Sequence, residues 1–259
     1  VYWSPTANRR HRTAGESDRC LIVAVEHGAG AVRSQVSANG FAGSEIVAAR
    51  QLIEELDVAG WTLTLDALHS CRKTAALIVA RQADYVLVVK GNRPTMCRTC
   101  RRFDGTARAI TRPSTRATAD LECDVLAPGD NYEGFVALPG HRQAFRIVRE
   151  RTVLKTGKTT TETVYGVTSL SSDMAGPSEV LARGRGHREI GNRVHYVRDF
   201  SYDEDRGRIR KGRVSRNPVC LTNAVIPIVR LKGRFRHQPQ ANRHYAATRL
   251  LADLQGRCG

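Results

Sequence analysis

The segment from Trp61 to Asn92, WTLTLDALHSCRKTAALIVARQADYVLVVKGN, constrains the fold more than any other part of the chain. Residues 61–65 form a short apolar, partly β-branched run that suits a buried strand. Residues 70–82 carry Ala75, Ala76, Ile78 and Val79 at helical spacing, with Ser70 available as an N-cap. Residues 85–89 are a second continuous apolar run. A strand, a helix and a strand within about 30 residues predict a parallel pair joined by a right-handed crossover. Asp66 then stands at the carboxyl end of the first strand, the edge where open α/β sheets present reactive side chains. A carboxylate is costly to bury, so its position beside a buried strand points to a cation, a basic partner or water. Capping of the following turn by its side-chain oxygen is the other reading.

Upstream, residues 20–26 (CLIVAVE) and 31–38 (AVRSQVSA) read as two strands of an antiparallel hairpin. Residues 44–56 repeat their apolar positions as a helix does, and start with serine. Together with the parallel unit they predict an α/β fold: a mixed sheet with helices packed on it. Downstream, 93–119 is rich in Arg, Thr and Pro without a steady period and reads as irregular. Residues 121–126, 144–153 and 161–170 read as strands, the last two joined by a turn at LKTGKT. The organisation expected is a first core part at 1–94, a β-rich insertion at 95–172 and a helical part at 173–259. The last carries helices at 178–196, 217–231 (kinked at Pro227) and 241–254, although Gly184, Gly186 and Gly191 weaken the first by about 1 kcal/mol each relative to alanine.

The 259 residues carry a formal net charge of +16, and 35 of the 41 basic residues are arginine. Arginine pairs bidentately with phosphate, and each neutralised phosphate releases a counterion, so a polyanion is the leading partner class. A general compositional bias toward arginine is the other account. No apolar stretch approaches the roughly 18 residues that span a bilayer, and no secretory signal is present at the N-terminus. A cytoplasmic protein without membrane partners is expected. The chain starts at Val1 rather than methionine, as a fragment would. The seven cysteines are too dispersed for a disulfide scaffold, and Cys97-Arg98-Thr99-Cys100 supplies only half of a zinc site. His69, three residues past Asp66, reads as an ordinary surface or core histidine.

Three stretches, DALHSCRKTAALIVARQADYVLVVKGNRP, TETVYGVTSL and RGHREIGNRVHYVRDFSYDEDRGRIRKG, follow one another as they do in bacterial insertion-sequence DDE transposases of the H-repeat-associated, IS-four-like type. The chain resembles that family from about Cys20 to its C-terminus. The resemblance implies a ribonuclease H-like core interrupted by a β-rich insertion. It also implies metal-dependent cleavage and strand transfer of double-stranded DNA, at insertion-sequence ends and target, through two Mg2+ (or Mn2+) ions. Joining two element ends implies a homodimer. Asp66 matches the second of the family's three metal-binding acids.

The other two acids depart from the pattern. The family's first aspartate, in an Asp-Gly-Lys motif, lies on the strand before CLIVAVE; here that segment reads VYWSPTANRRHRTAGES and holds no aspartate. The third acid is the glutamate of His-Trp-Gly-Ile-Glu-Asn, where this chain has His187-Arg188-Glu189-Ile190-Gly191-Asn192. Glycine occupies the ligand position, and Glu189, two residues earlier, is rotated by about 200° around a helix. Glu189 is retained with Asp66 as a candidate catalytic and metal-binding residue, reachable through a change of helical register at the glycines. Arg198 matches the family's basic position on that helix. Lys90, Asn92 and Arg93 follow the second strand and are candidate DNA contacts, as are Arg208, Arg210, Lys211 and Arg213 in the densest basic run. A turn at Gly91-Asn92 and a solvated loop are the plain alternatives. The expected function is a degenerate or truncated DDE transposase impaired by loss of its outer acids. The alternative is a catalytically inactive DNA-binding remnant. An RNA-binding protein is disfavoured by the lack of an aromatic-rich motif.

Overall fold

Alternation along β4 (Thr62–Leu65, TLTL) sets the two sides of the sheet in the computed structural model: Leu63 and Leu65 enter one core and Thr62 and Thr64 turn to the other face. The structure describes residues 2–9, 19–27, 30–39, 44–91, 107–110, 118–126, 138–152 and 156–190, with Pro94, Met96 and Cys100. The helices expected at 217–231 and 241–254 lie outside these.

The chain builds β1 (Tyr2–Arg9), β2 (Arg19–Glu26) and β3 (Val32–Asn39), then α1 (Ser44–Glu55), β4, α2 (Arg72–Ala80) and β5 (Asp84–Val89). After these come β6 (Ala107–Ile110), β7 (Thr118–Leu126), β8 (Gln143–Thr152), β9 (Thr159–Thr168) and α3 (Pro177–Ile190). The fold is a mixed α/β arrangement on one nine-stranded sheet of order β3-β2-β1-β4-β5-β9-β8-β7-β6. The pairs β1/β4 and β4/β5 are parallel, and the pairs β1/β2 and β2/β3 are antiparallel. The hairpin, α1 and the strand–helix–strand unit thus form as their sequence patterns predict, with boundaries shifted by a residue or two.

Strand β1 fills the segment before CLIVAVE, between β2 and β4. Its Pro5 lies past Trp3, the last residue paired to β4, so the missing N–H falls where the strand has only β2 beside it. The β-rich segment joins the same sheet, because β9 pairs antiparallel with β5 over Val86–Val89. The stretch expected to be irregular, 93–119, contains β6 and the first residues of β7. With only four residues and an arginine among them, β6 has no readable apolar run; it is an edge strand held by β7.

One face of the sheet packs against α1 and α2. Ala48, Ala49, Leu52 and Ile53 of α1 and Ala75 and Ile78 of α2 meet Leu63, Leu65, Tyr85 and Leu87, all buried. Each large apolar side chain there contributes about 1.5–3 kcal/mol relative to exposure. The opposite face carries α3, whose Val180 and Leu181 pack with Phe145 and Ile147 of β8. Farther along, Gly184 faces Ile147 and Gly186 faces His27, so α3 steps across the sheet from β8 toward the β2–β3 turn. A Cβ on Gly186 would lie 2.3 Å from His27 Nδ1. The glycines that weaken α3 as an isolated helix are the residues that let it lie close to the sheet.

Candidate functional site

The site forms where the loop after β4 leaves the carboxyl edge of the sheet. Asp66 is the first residue past β4, and its side chain is 56% exposed. Its Oδ1 accepts the Leu68 N–H at 3.1 Å, and its carbonyl accepts the His69 N–H at 3.2 Å. The turn-capping reading of this residue holds: one carboxylate oxygen caps the turn, and Oδ2 has no hydrogen bond among the described residues.

Ser70 is fully buried and does not cap α2; the N-cap is Cys71, which makes no side-chain capping bond. The Ser70 hydroxyl instead donates to the Val88 carbonyl at 2.5 Å, with the Asp66 carbonyl at 3.3 Å. That bond clamps the β4–α2 loop to β5. His69 is 2% exposed, with Nε2 3.9 Å from Asp66 Oδ1, too far for a hydrogen bond. Burial lowers its pKa against the opposing pull of the Asp66 carboxylate, leaving the ring neutral at neutral pH.

Lys90, the first residue after β5, is exposed at the same carboxyl edge. The parallel register pairs Leu65 with Leu87, so Lys90 stands about two residues farther along its strand than Asp66 does on its own. Asn92, Arg93, Arg198, Arg208, Arg210, Lys211 and Arg213 lie outside the described residues. Glu189 is the penultimate residue of α3. Its helix meets β4 through His187.

Sequence reasoning missed a buried polar cluster beneath α3. Thr64, 1% exposed, has its hydroxyl 2.9 Å from His27 Nε2 and 3.3 Å from His187 Nδ1. One hydroxyl can donate to one ring nitrogen while accepting from an N–H on the other, so the cluster is satisfied with both rings neutral. Burial, with the repulsion that a protonated His187 would add, pushes the His27 pKa down to about 4. The sequence showed only half of it: a strand alternating Thr with Leu calls for a polar partner above its threonines, while the identity of that partner depends on how α3 packs.

No protein-family model matches this chain, and no curated protein matches it. Among solved structures it is similar to a cryo-EM structure of the piggyBac transposase synaptic complex with hairpin DNA. The identity is 11% and the TM-score 0.48, over 94% of this chain and 51% of that one. The chain therefore spans about half the length of that protein.

Among the described residues no three His, Cys, Asp or Glu side chains converge as metal ligands. Strand β1, which flanks β4, reads Tyr-Trp-Ser-Pro-Thr-Ala-Asn-Arg and holds no acid. Among the described residues, then, Asp66 has no second carboxylate beside it to help hold a pair of divalent ions. Among the described residues no helix is long and apolar enough to cross a membrane.

Proposed function

We propose that this chain is a ribonuclease H-like, DDE-transposase-type protein that holds duplex DNA and has lost the ability to cut and join it. The observation that carries the reading is Asp66, exposed just past β4 in a run of strands ordered β3-β2-β1-β4-β5, beside a β1 strand without a carboxylate. Three antiparallel strands followed by two parallel ones form the arrangement expected of a ribonuclease H-like core. In that core the first acid belongs on β1 and the second at the end of β4. The position of Asp66 agrees with the second, and the motifs shared with the IS-four-like transposases run in the same order.

The remnant reading follows from the ligand set. Two metals at phosphorus need several carboxylates to offset cation repulsion. With glycine at 191, the third acid is missing as well as the first. Losing one such ligand costs on the order of 3 kcal/mol of transition-state stabilisation, roughly a hundredfold in rate, and two losses compound. What remains is charge: the formal +16 of the chain, mostly arginine, is suited to a DNA backbone.

The test is a strand-transfer assay with duplex oligonucleotides and supercoiled target in magnesium or manganese, comparing the full chain with Asp66→Ala. No joined product is expected from either. Robust joining that vanishes in Asp66→Ala would replace the remnant with an active transposase.

A further inference from the structure

Cations gather on one side of the Asp66 loop, and among the described residues no acid answers them. Arg72 and Lys73 open α2, six and seven residues after Asp66, and both side chains are exposed. Lys90 is exposed at the end of β5. In a strand–helix–strand unit the start of the helix and the ends of both strands share one edge of the sheet. Here the Ser70–Val88 bond fixes this arrangement, because Ser70 is two residues before Arg72 and Val88 two residues before Lys90. Among the described residues no carboxylate pairs with Arg72, Lys73 or Lys90. Two other exposed cations are engaged: Arg33 pairs with Glu26, and Arg81 donates to the Leu56 carbonyl at 2.9 Å.

We infer that Arg72, Lys73 and Lys90 form a phosphate-gripping rim beside Asp66, taking the backbone of duplex DNA along the carboxyl edge of the sheet. The inference rests on the DNA-binding reading above and adds two residues to it. Three uncompensated charges around a single carboxylate leave the edge net positive, and a phosphate backbone is complementary to that charge. Arg72 supplies a planar fork for paired bonds to one phosphate, and the two lysines act as point charges. Phosphate contacts of this kind fix position without reading sequence.

The test measures binding of the full chain to a fluorescein-labelled duplex by anisotropy over a range of salt concentrations. The proteins compared are wild type, R72A/K73A, R72Q/K73Q and K158A; Lys158 is an exposed cation at the far tip of the β8–β9 hairpin. Each lost phosphate contact lowers the magnitude of the log–log salt slope by about one, so both double variants are expected to lose about one to two from the slope. They are also expected to lose roughly tenfold in affinity near 0.1 M salt, with K158A like wild type. Circular dichroism and a thermal melt confirm that each variant is folded, and the glutamine pair repeats the charge loss with longer side chains. Wild-type binding with unchanged slopes in both double variants would overturn the rim and leave the DNA reading standing. Equal loss in K158A would reduce it to general charge. No wild-type binding at any salt would remove the rim and the reading together.

Discussion

At the scale of single residues, buried polar groups carry the firmest consequences. Thr64 joins two histidines from distant parts of the chain, and replacing it with valine keeps the volume while removing the hydroxyl that both rings share. A part-buried hydrogen bond contributes about 0.5–1.5 kcal/mol, so Thr64→Val, which removes two, is expected to lower the urea midpoint by about 1–3 kcal/mol of stability. His27 adds a pH dependence whose sign is fixed by its lowered pKa. The fold favours the neutral ring, so the unfolded chain binds the proton first as pH falls. Stability is intact above the ordinary value of 6.5, declines between 6.5 and about 4, and levels below that. The full span amounts to up to about 3 kcal/mol, less whatever solvent screening removes. Urea titrations at pH 7.5, 6 and 5 check this, and His27→Gln is expected to flatten the profile. Ser70→Ala is expected to cost about 1–2 kcal/mol by leaving the Val88 carbonyl without its donor. A midpoint unchanged by Ser70→Ala would dissolve the clamp that places the Asp66 loop.

At the scale of elements, α3 shows how a poor local helix becomes a good tertiary one. Alanine at either Gly184 or Gly186 gains up to about 1 kcal/mol of helix propensity. At Gly184 the added carbon meets only the flexible tip of Ile147 at 3.0 Å, so the net change is expected to be small. At Gly186 it would lie 2.3 Å from the His27 ring, which Thr64 holds in place. Gly186→Ala is therefore expected to cost about 1–3 kcal/mol through overpacking, measured as the difference in melting behaviour between the two variants. The sequence marked these glycines as weak points of a helix; their function as close-approach positions depends on what lies beneath them, which no local pattern reports. The same limit hid β6, a four-residue edge strand whose identity comes from pairing with β7. By contrast, β4, α2 and β5 were readable because apolar runs, helical spacing and a short connection all agreed on one unit.

At the scale of the whole molecule, the sheet explains how the β-rich segment and the N-terminal part belong together: β9 continues the sheet from β5. The location of Asp66 was legible because strand ends follow from pattern alone. The Thr64–His27–His187 cluster was not, since it needs the packing of α3 across the sheet. We propose, for the molecule as a whole, that a basic protein with this sheet grips duplex DNA without breaking it. The most direct test incubates the full chain with end-labelled duplex in magnesium or manganese and divides one sample between a native and a denaturing gel. The account predicts a shifted band in the first, weakening steeply as salt rises, and full-length strands in the second. Cut or joined strands that depend on Asp66, or no shifted band even at low salt, would contradict it.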